Sequence, residues 1–539
     1  DLQKASWAPS RTGSDDRLKK AIAKLDARKA RSMVIDLGAP DGKNRALVDL
    51  DVRPSIVTSA ASVAVAARVQ SFGGSYPGGR AQLLVDGRII PGEEQDIPSI
   101  DSGGTTEVDF RHEFSAPGDH VIEVRIDDDP LALDNRRRLV VPVRESVRVL
   151  LVDGDPKPGV FTSETAFLSE ALSPETGSPG LPSPIQVQVV GEPQLQRTDL
   201  DTFDAVVLSN VGQVSSEEAA QLDAYLKQGG GVVFFAGDQV RADLYNRVLF
   251  DSGKGLLPAE FGPVVGDPQR RENPYFFDPL EYRHPIVADY AGQPDPVTAS
   301  LMNVKTFRYY RLNPSASSGA RVALKVGKDP LIVEARRHRG RVIVVGTSAD
   351  RDWTDWPIHQ SYPPVMEKII LLAASGRFED RNIAVGRPID EVFPVSAAGA
   401  EAVVTWPDLD EAVKDADVQH AESKLELDGD VSRIHFTRTA YSGTYKVQVG
   451  APLGLTSRFA ANPEPAESDP AKLDLAALKA SVPGWKFDYD NDWKPLQKNA
   501  ASLGQRGELH RPFLWAILVL LLVESLLAWG FSHHQSRAV

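Results

Sequence analysis

Near the carboxyl end, residues 513–531 read FLWAILVLLLVESLLAWGF, nineteen residues carrying one charge, Glu524. Coiled as a helix at ~1.5 Å per residue, such a run covers about the ~30 Å hydrocarbon core of a bilayer. In a soluble protein it would need apolar cover on every side. The run therefore predicts a single transmembrane helix, and with it a chain whose other domains are held at a membrane. Trp515 and Trp529 stand near its two ends, where indole rings favour the interface; Arg511 precedes it, and His533, His534 and Arg537 follow. These flanking charges nearly balance, so the positive-inside rule sets no orientation. Glu524 lies seven residues inside Phe531, roughly 10 Å deep, where a carboxylate must be protonated, paired or reached by water. A contact to another helix and a neutral side chain near one leaflet both satisfy that requirement.

The remaining chain is too long for one core. At 539 residues, with domains of ~100 to 200 residues each, roughly three or four units are expected. Its 39 prolines and 42 glycines, spread throughout, favour many turns and β-rich modules. The net charge of −14 disfavours nucleic acid as a partner, since phosphate binding needs concentrated Lys and Arg. The densest basic run, Arg136-Arg137-Arg138, is equally a solvated strand end. No cysteine is present, which removes disulfides, thiolate metal sites and Cys nucleophiles. Asp1 is preceded by neither an initiator Met nor a signal peptide, so the natural protein is expected to continue upstream.

Texture divides the chain further. In residues 1–45, Ser14 caps a helical pattern of Leu18, Ile22 and Leu25, and the apolar run Met33-Val34-Ile35 follows, as at the end of an α/β domain. Residues 46–145 show short alternating runs, with Asp86-Gly87 as a hairpin turn, and fit an immunoglobulin-like β-sandwich. Residues 146–378 alternate buried strands (147–153, 185–190, 205–208, 232–236) with helices, the signature of a doubly wound parallel sheet. Ser215 and Glu218 form a capping box there, and Gly229-Gly230-Gly231 ends the helix. Residues 240–325, rich in Pro, aromatic and polar residues, break the rhythm and read as an insertion. Alternation returns in residues 379–460, a second small β-sandwich, and residues 461–512 read as linker and juxtamembrane segment.

In open α/β sheets ligands bind beyond the carboxyl ends of the strands, which here carry Asp153 and Asp155, Ser209 and Asn210, Gly237 and Asp238, and residues 347–352. Convergence of Asp153, Asp155 and Asp238 would make a divalent-cation site and a metal-dependent hydrolase. The same residue types also serve as turn formers and helix caps. A haloacid-dehalogenase phosphatase pattern does not fit: one helix alone separates Ser209 from Asp238, and Lys157 stands where that pattern has Thr or Val. Asp350-Arg351-Asp352-Trp353-Thr354-Asp355-Trp356 is dense in Trp and acid, so Asp352, Trp353 and Trp356 are candidate binding residues, by themselves or with the insertion as a carbohydrate or peptide cleft. The alternative is that the rings pin the loop to the core. His338 shows no metal-ligand spacing and belongs in an exposed turn.

The strand order of the central region resembles the class I glutamine amidotransferase-like (flavodoxin-like) fold. In that fold a Cys nucleophile occupies a sharp strand-to-helix turn; here Ala236-Gly237-Asp238 stands there, which implies a catalytically empty scaffold. The stretch from Asp1 to Trp7, the Asp134-Asn135 pair, residues 350–353, the Pro- and acid-rich residues 462–469 and the terminal helix together resemble large Bat-type aerotolerance membrane proteins with a von Willebrand A domain. The resemblance implies that residues 1–45 end such a domain. It implies that Asp1 is the last acidic ligand of a divalent-cation site whose other ligands lie upstream, and that the chain itself needs no other cofactor. It further implies a non-catalytic protein of the bacterial inner membrane, its bulk extracytoplasmic, acting with other von Willebrand A or Bat-type proteins and a MoxR-type ATPase.

Overall fold

A computed structural model describes residues 3–4, 14–28, 32–36, 42–54, 56–59, 62–159, 161–174, 184–378, 381–406, 419–429, 431–451, 453–490 and 510–532. Asp1, His533, His534 and Arg537 lie outside the described residues. The chain divides into two compact units.

The larger unit comprises Arg45–Gln70 and Tyr76–Pro465 and is built around a nine-stranded sheet. Five of its strands run parallel, in the spatial order Ile185–Gly191, Val147–Asp153, Ala205–Ser209, Gly231–Phe235 and Gly340–Val345. The inner four are almost continuous buried apolar runs because both faces of the sheet are covered there, whereas the edge strand Ile185–Gly191 alternates with Gln186 and Gln188 and is largely exposed or half-buried. Successive residues point to opposite faces. Val149, Leu151, Val207 and Val233 pack with the helices Ala166–Leu172 and Tyr362–Ala374. Leu150, Val152, Val206 and Phe234 pack instead with Leu222, Tyr225 and Leu226 of the helix Ser216–Lys227. That helix opens on a complete capping box: Ser215 Oγ accepts from the Glu218 N–H at 3.2 Å, and Glu218 Oε2 accepts from the Ser215 N–H at 2.8 Å. It ends before Gly229, whose φ of +91° and approach to the Gly376 carbonyl leave no room for a side chain.

Residues 240–325, expected as an insertion, add strands to the same sheet. Tyr275–Asp278, Lys305–Thr306 and Arg321–Val326 join the antiparallel strand Asp329–Arg337 and extend the same sheet, while Ala259–Gly266 pairs with Arg308–Pro314 beside it. Two of these strands, Tyr275–Asp278 and Lys305–Thr306, span four and two residues, too few to show a period of two in sequence.

Two β-rich regions belong to the same unit. In the first, a three-stranded and a five-stranded sheet enclose one core of Val65, Ala67, Phe110, Leu83, Val124 and Val141. In the second, a five-stranded and a three-stranded sheet enclose Val404, Tyr445, Val447, Ile389 and Ile434. The protein is thus mixed α/β with a large share of sheet.

The smaller unit contains the helix Ser14–Ala27 and the strand Ser32–Ile35, which pairs in parallel with Phe487–Asp490. The helix Leu475–Ser481 is capped by Asp474 and places Leu478 against Val34 and Leu473. Within residues 461–512, expected as linker and juxtamembrane segment, Leu475–Ser481 and Phe487–Asp490 thus carry regular structure. Prolines and acids near residue 465 mask a segment whose partner strand lies some 450 residues away. The helix His510–Ser532 contains the one candidate membrane span among the described residues, Phe513–Gly530, none of which is buried by the protein. Glu524 is exposed on it.

Candidate functional site

The carboxyl ends of the parallel strands converge on a cluster of acids, assembled by close packing of the connecting turns. Asn210, just after its strand, adopts a left-handed φ of +51°, which Asn tolerates better than most residues. Any Cβ on Gly154 or Gly237 would come within 2.1 Å of Asn210, so both glycines are needed for the turns to meet. Asn210 then bridges two acids. Its Nδ2 donates to Glu164 Oε1 and to Asp238 Oδ1, each at 2.8 Å, and its Oδ1 accepts from the Gln239 N–H at 2.8 Å.

Glu164, 1 % exposed, is the centre of the arrangement. One of its carboxylate oxygens lies within 4.8 Å of oxygens of Asp155 and Asp238, and a second set joins Glu164 to Asp350 and Asp352 over the same span. Burial, reinforced by the negative charge of Asp350 and opposed by the Asn210 hydrogen bond, pushes the Glu164 carboxyl up to about 8. Burial also raises Asp350. Lys157 Nζ sits 2.7 Å from Asp155 and 3.6 Å from Asp352, and its hydrogen bond to Asp155 raises the ammonium above its ordinary value. The cluster can hold a hard cation through oxygen ligands, or store a proton on Glu164 near neutral pH.

The expected triad is therefore only partly assembled. Asp155 and Asp238 come together, but Asp153 is turned to structural work: its Oδ2 accepts from Thr165 Oγ1 at 2.8 Å and its Oδ1 from the Asp155 N–H at 3.1 Å. Glu164 takes the third place. The helix opens at Ala166, and Glu164 belongs to the preceding turn. An acid between a strand end and a helix start was the available signal.

Trp353 and Trp356 are corrected as binding residues, since they are 2 % and 1 % exposed. Trp353 packs on Tyr310 and beneath the Arg308 guanidinium; Trp356 meets Phe277 and Tyr362 edge-on and donates from Nε1 to Ser361 Oγ at 3.3 Å. The rings pin the loop, and with them goes the aromatic-cleft reading. Asp352 remains exposed beside Lys157. His338 occupies a tight turn with φ +54° and pairs with Asp223 at 2.8 Å.

No family model and no curated protein matches this chain. Among solved structures, a cytoplasmic protein of Salmonella typhimurium, STM3548, is similar over 42% of this chain and 98% of its own at 13% identity and a TM-score of 0.32. A ThuA-like protein of Bacteroides uniformis matches over 42% of this chain and 91% of its own, at 11% identity and a TM-score of 0.28. The CARDB domain of PF1109 from Pyrococcus furiosus covers 20% of this chain and 99% of its own, at 13% identity and a TM-score of 0.17. Likenesses of this size carry no functional argument.

Proposed function

We propose that this chain is a non-catalytic, membrane-anchored envelope protein that works through protein–protein contacts in the manner of Bat-type proteins. The observation that carries this reading is the C-terminal helix, whose span Phe513–Gly530 finds no cover among the described residues and needs lipid or another helix around it. In this reading the parallel-stranded region is a doubly wound, amidotransferase-like scaffold flanked by two immunoglobulin-like sandwiches. The anchor lies in the bacterial inner membrane, the bulk is extracytoplasmic, and the partners are von Willebrand A or Bat-type membrane proteins and a MoxR-type ATPase. The absence of cysteine and the state of Ser209 support a scaffold: the Ser209 hydroxyl is buried with no hydrogen-bond partner among the described residues, so none of them is placed as a base to take its proton.

Extraction of membranes with alkaline carbonate tests the anchor. The full chain is expected to stay in the pellet, a chain truncated before His510 to be released, and protease protection in spheroplasts to read the orientation. Assay against ester, amide and phosphoester substrates tests the absence of catalysis. Hydrolysis that disappears in Asp155→Asn or Asp238→Asn would overturn the reading in favour of the metal-dependent hydrolase, whereas cation binding without turnover leaves it standing.

A further inference from the structure

We infer that the acids around Glu164 form a divalent-cation site of the oxygen-liganding class, with Asp155, Glu164 and Asp238 as ligands and Lys157 occupying the charge position that the ion takes. This goes beyond the scaffold reading and does not depend on it.

The geometry suits such an ion. Oxygens on opposite sides of a cation bound at about 2.3–2.6 Å stand up to about 5 Å apart, and the three carboxylates offer oxygens that all lie within 4.8 Å of one another. Two of the three are already held: Asn210 grips Glu164 and Asp238 through the same amide nitrogen at 2.8 Å, so little ordering remains to be done when an ion arrives.

A separate observation points to a missing ligand. Glu164 Oε2 is buried and has no hydrogen-bond partner among the described residues, although its residue is 1 % exposed. Buried carboxylate oxygens are normally satisfied, and one left open costs free energy that a bound cation would recover. The local charge is also out of balance. Asp350 and Asp352 share Glu164 in a second set of oxygens within 4.8 Å, and the ammonium of Lys157 reaches Asp155 and, more distantly, Asp352. The Lys157 side chain is 39 % exposed and sits on a loop, so it can swing into solvent as the ion enters.

Isothermal titration of the full chain in nanodiscs with Ca²⁺, Mg²⁺ and Mn²⁺ decides the matter, alongside Glu164→Gln, Asp238→Asn and Lys157→Met, with circular dichroism confirming folding. The expected result is saturable binding of one ion by the unaltered chain, a hundredfold or greater weakening in Glu164→Gln and Asp238→Asn, and about tenfold tightening in Lys157→Met because the competing cation is gone. Asp238 is exposed, so its variant keeps the test readable if Glu164→Gln fails to fold. Absence of saturable binding by the folded chain overturns the site, as does binding that survives the Asp238 change undiminished or is lost with Lys157.

Discussion

Two buried glutamates in the same unit behave in opposite ways. Glu164 and Glu334 are 1 % and 0 % exposed, so desolvation acts on both in the direction of the neutral acid. Glu164 yields to it: burial and the charge of Asp350 push it up to about 8. Glu334 does not. Burial raises it too, but a hydrogen bond from His284 and the guanidinium groups of Arg341 and Arg321 outweigh that cost and hold it near 2. The reason is placement. Glu334 lies mid-strand, directly opposite Arg321 in the antiparallel ladder, with Arg321 Nε at 2.6 Å and Arg341 Nη1 at 2.5 Å. Glu164 lies in a turn at the strand ends, where the neighbours brought in by other turns are acids. Burial sets the cost of a charge, and the fold decides whether a counter-charge is supplied from within or left to something outside.

Breaking the satisfied member should have the largest effect. Glu334→Ala leaves Arg321 and Arg341 without their shared carboxylate and is expected to cost about 3–5 kcal/mol, read as a lower urea midpoint at pH 7. Because the folded state lowers this group from 4.5 to about 2, its stabilisation is present above pH 4.5 and is lost as pH falls toward 2. A variant as stable as the original would show that the cage is not a stabilising device.

The unsatisfied member should respond with the opposite sign. Folding raises Glu164 from 4.5 to about 8, so the folded state binds more protons than the unfolded state between those values, and stability falls as pH rises through that window. With chelator present, Glu164→Gln is expected to remove this decline and to be more stable than the original at pH 9 by about 2–4 kcal/mol, with a much smaller difference at pH 5. Urea titrations at the two pH values measure it, and parallel pH profiles for the two proteins would break the contrast. Ser215→Ala sharpens the comparison as a reference whose hydrogen bonds go to Glu218 and not to either group. Loss of its capping box should cost about 1 kcal/mol, equally at pH 5 and pH 9.

Much of the architecture was written locally. The apolar run at residues 513–531, the strand 147–153, the alternation of residues 62–72 and the Ser215–Glu218 box each carry their meaning within one element, because helix and strand periods, caps and span length are short-range properties. Other features exist only through contact between distant segments. Phe487–Asp490 becomes a strand by pairing with Ser32–Ile35, and the short strands of residues 240–325 by extending a sheet whose other members lie on both sides of them. Trp353 and Trp356 look like recognition residues until Tyr310, Phe277 and Tyr362 close over them. The acids were visible one by one; that Asp153 would be spent on Thr165 and Glu164 left with a free oxygen was not, since a carboxylate's role is set by which turns the sheet brings within a few ångströms of it.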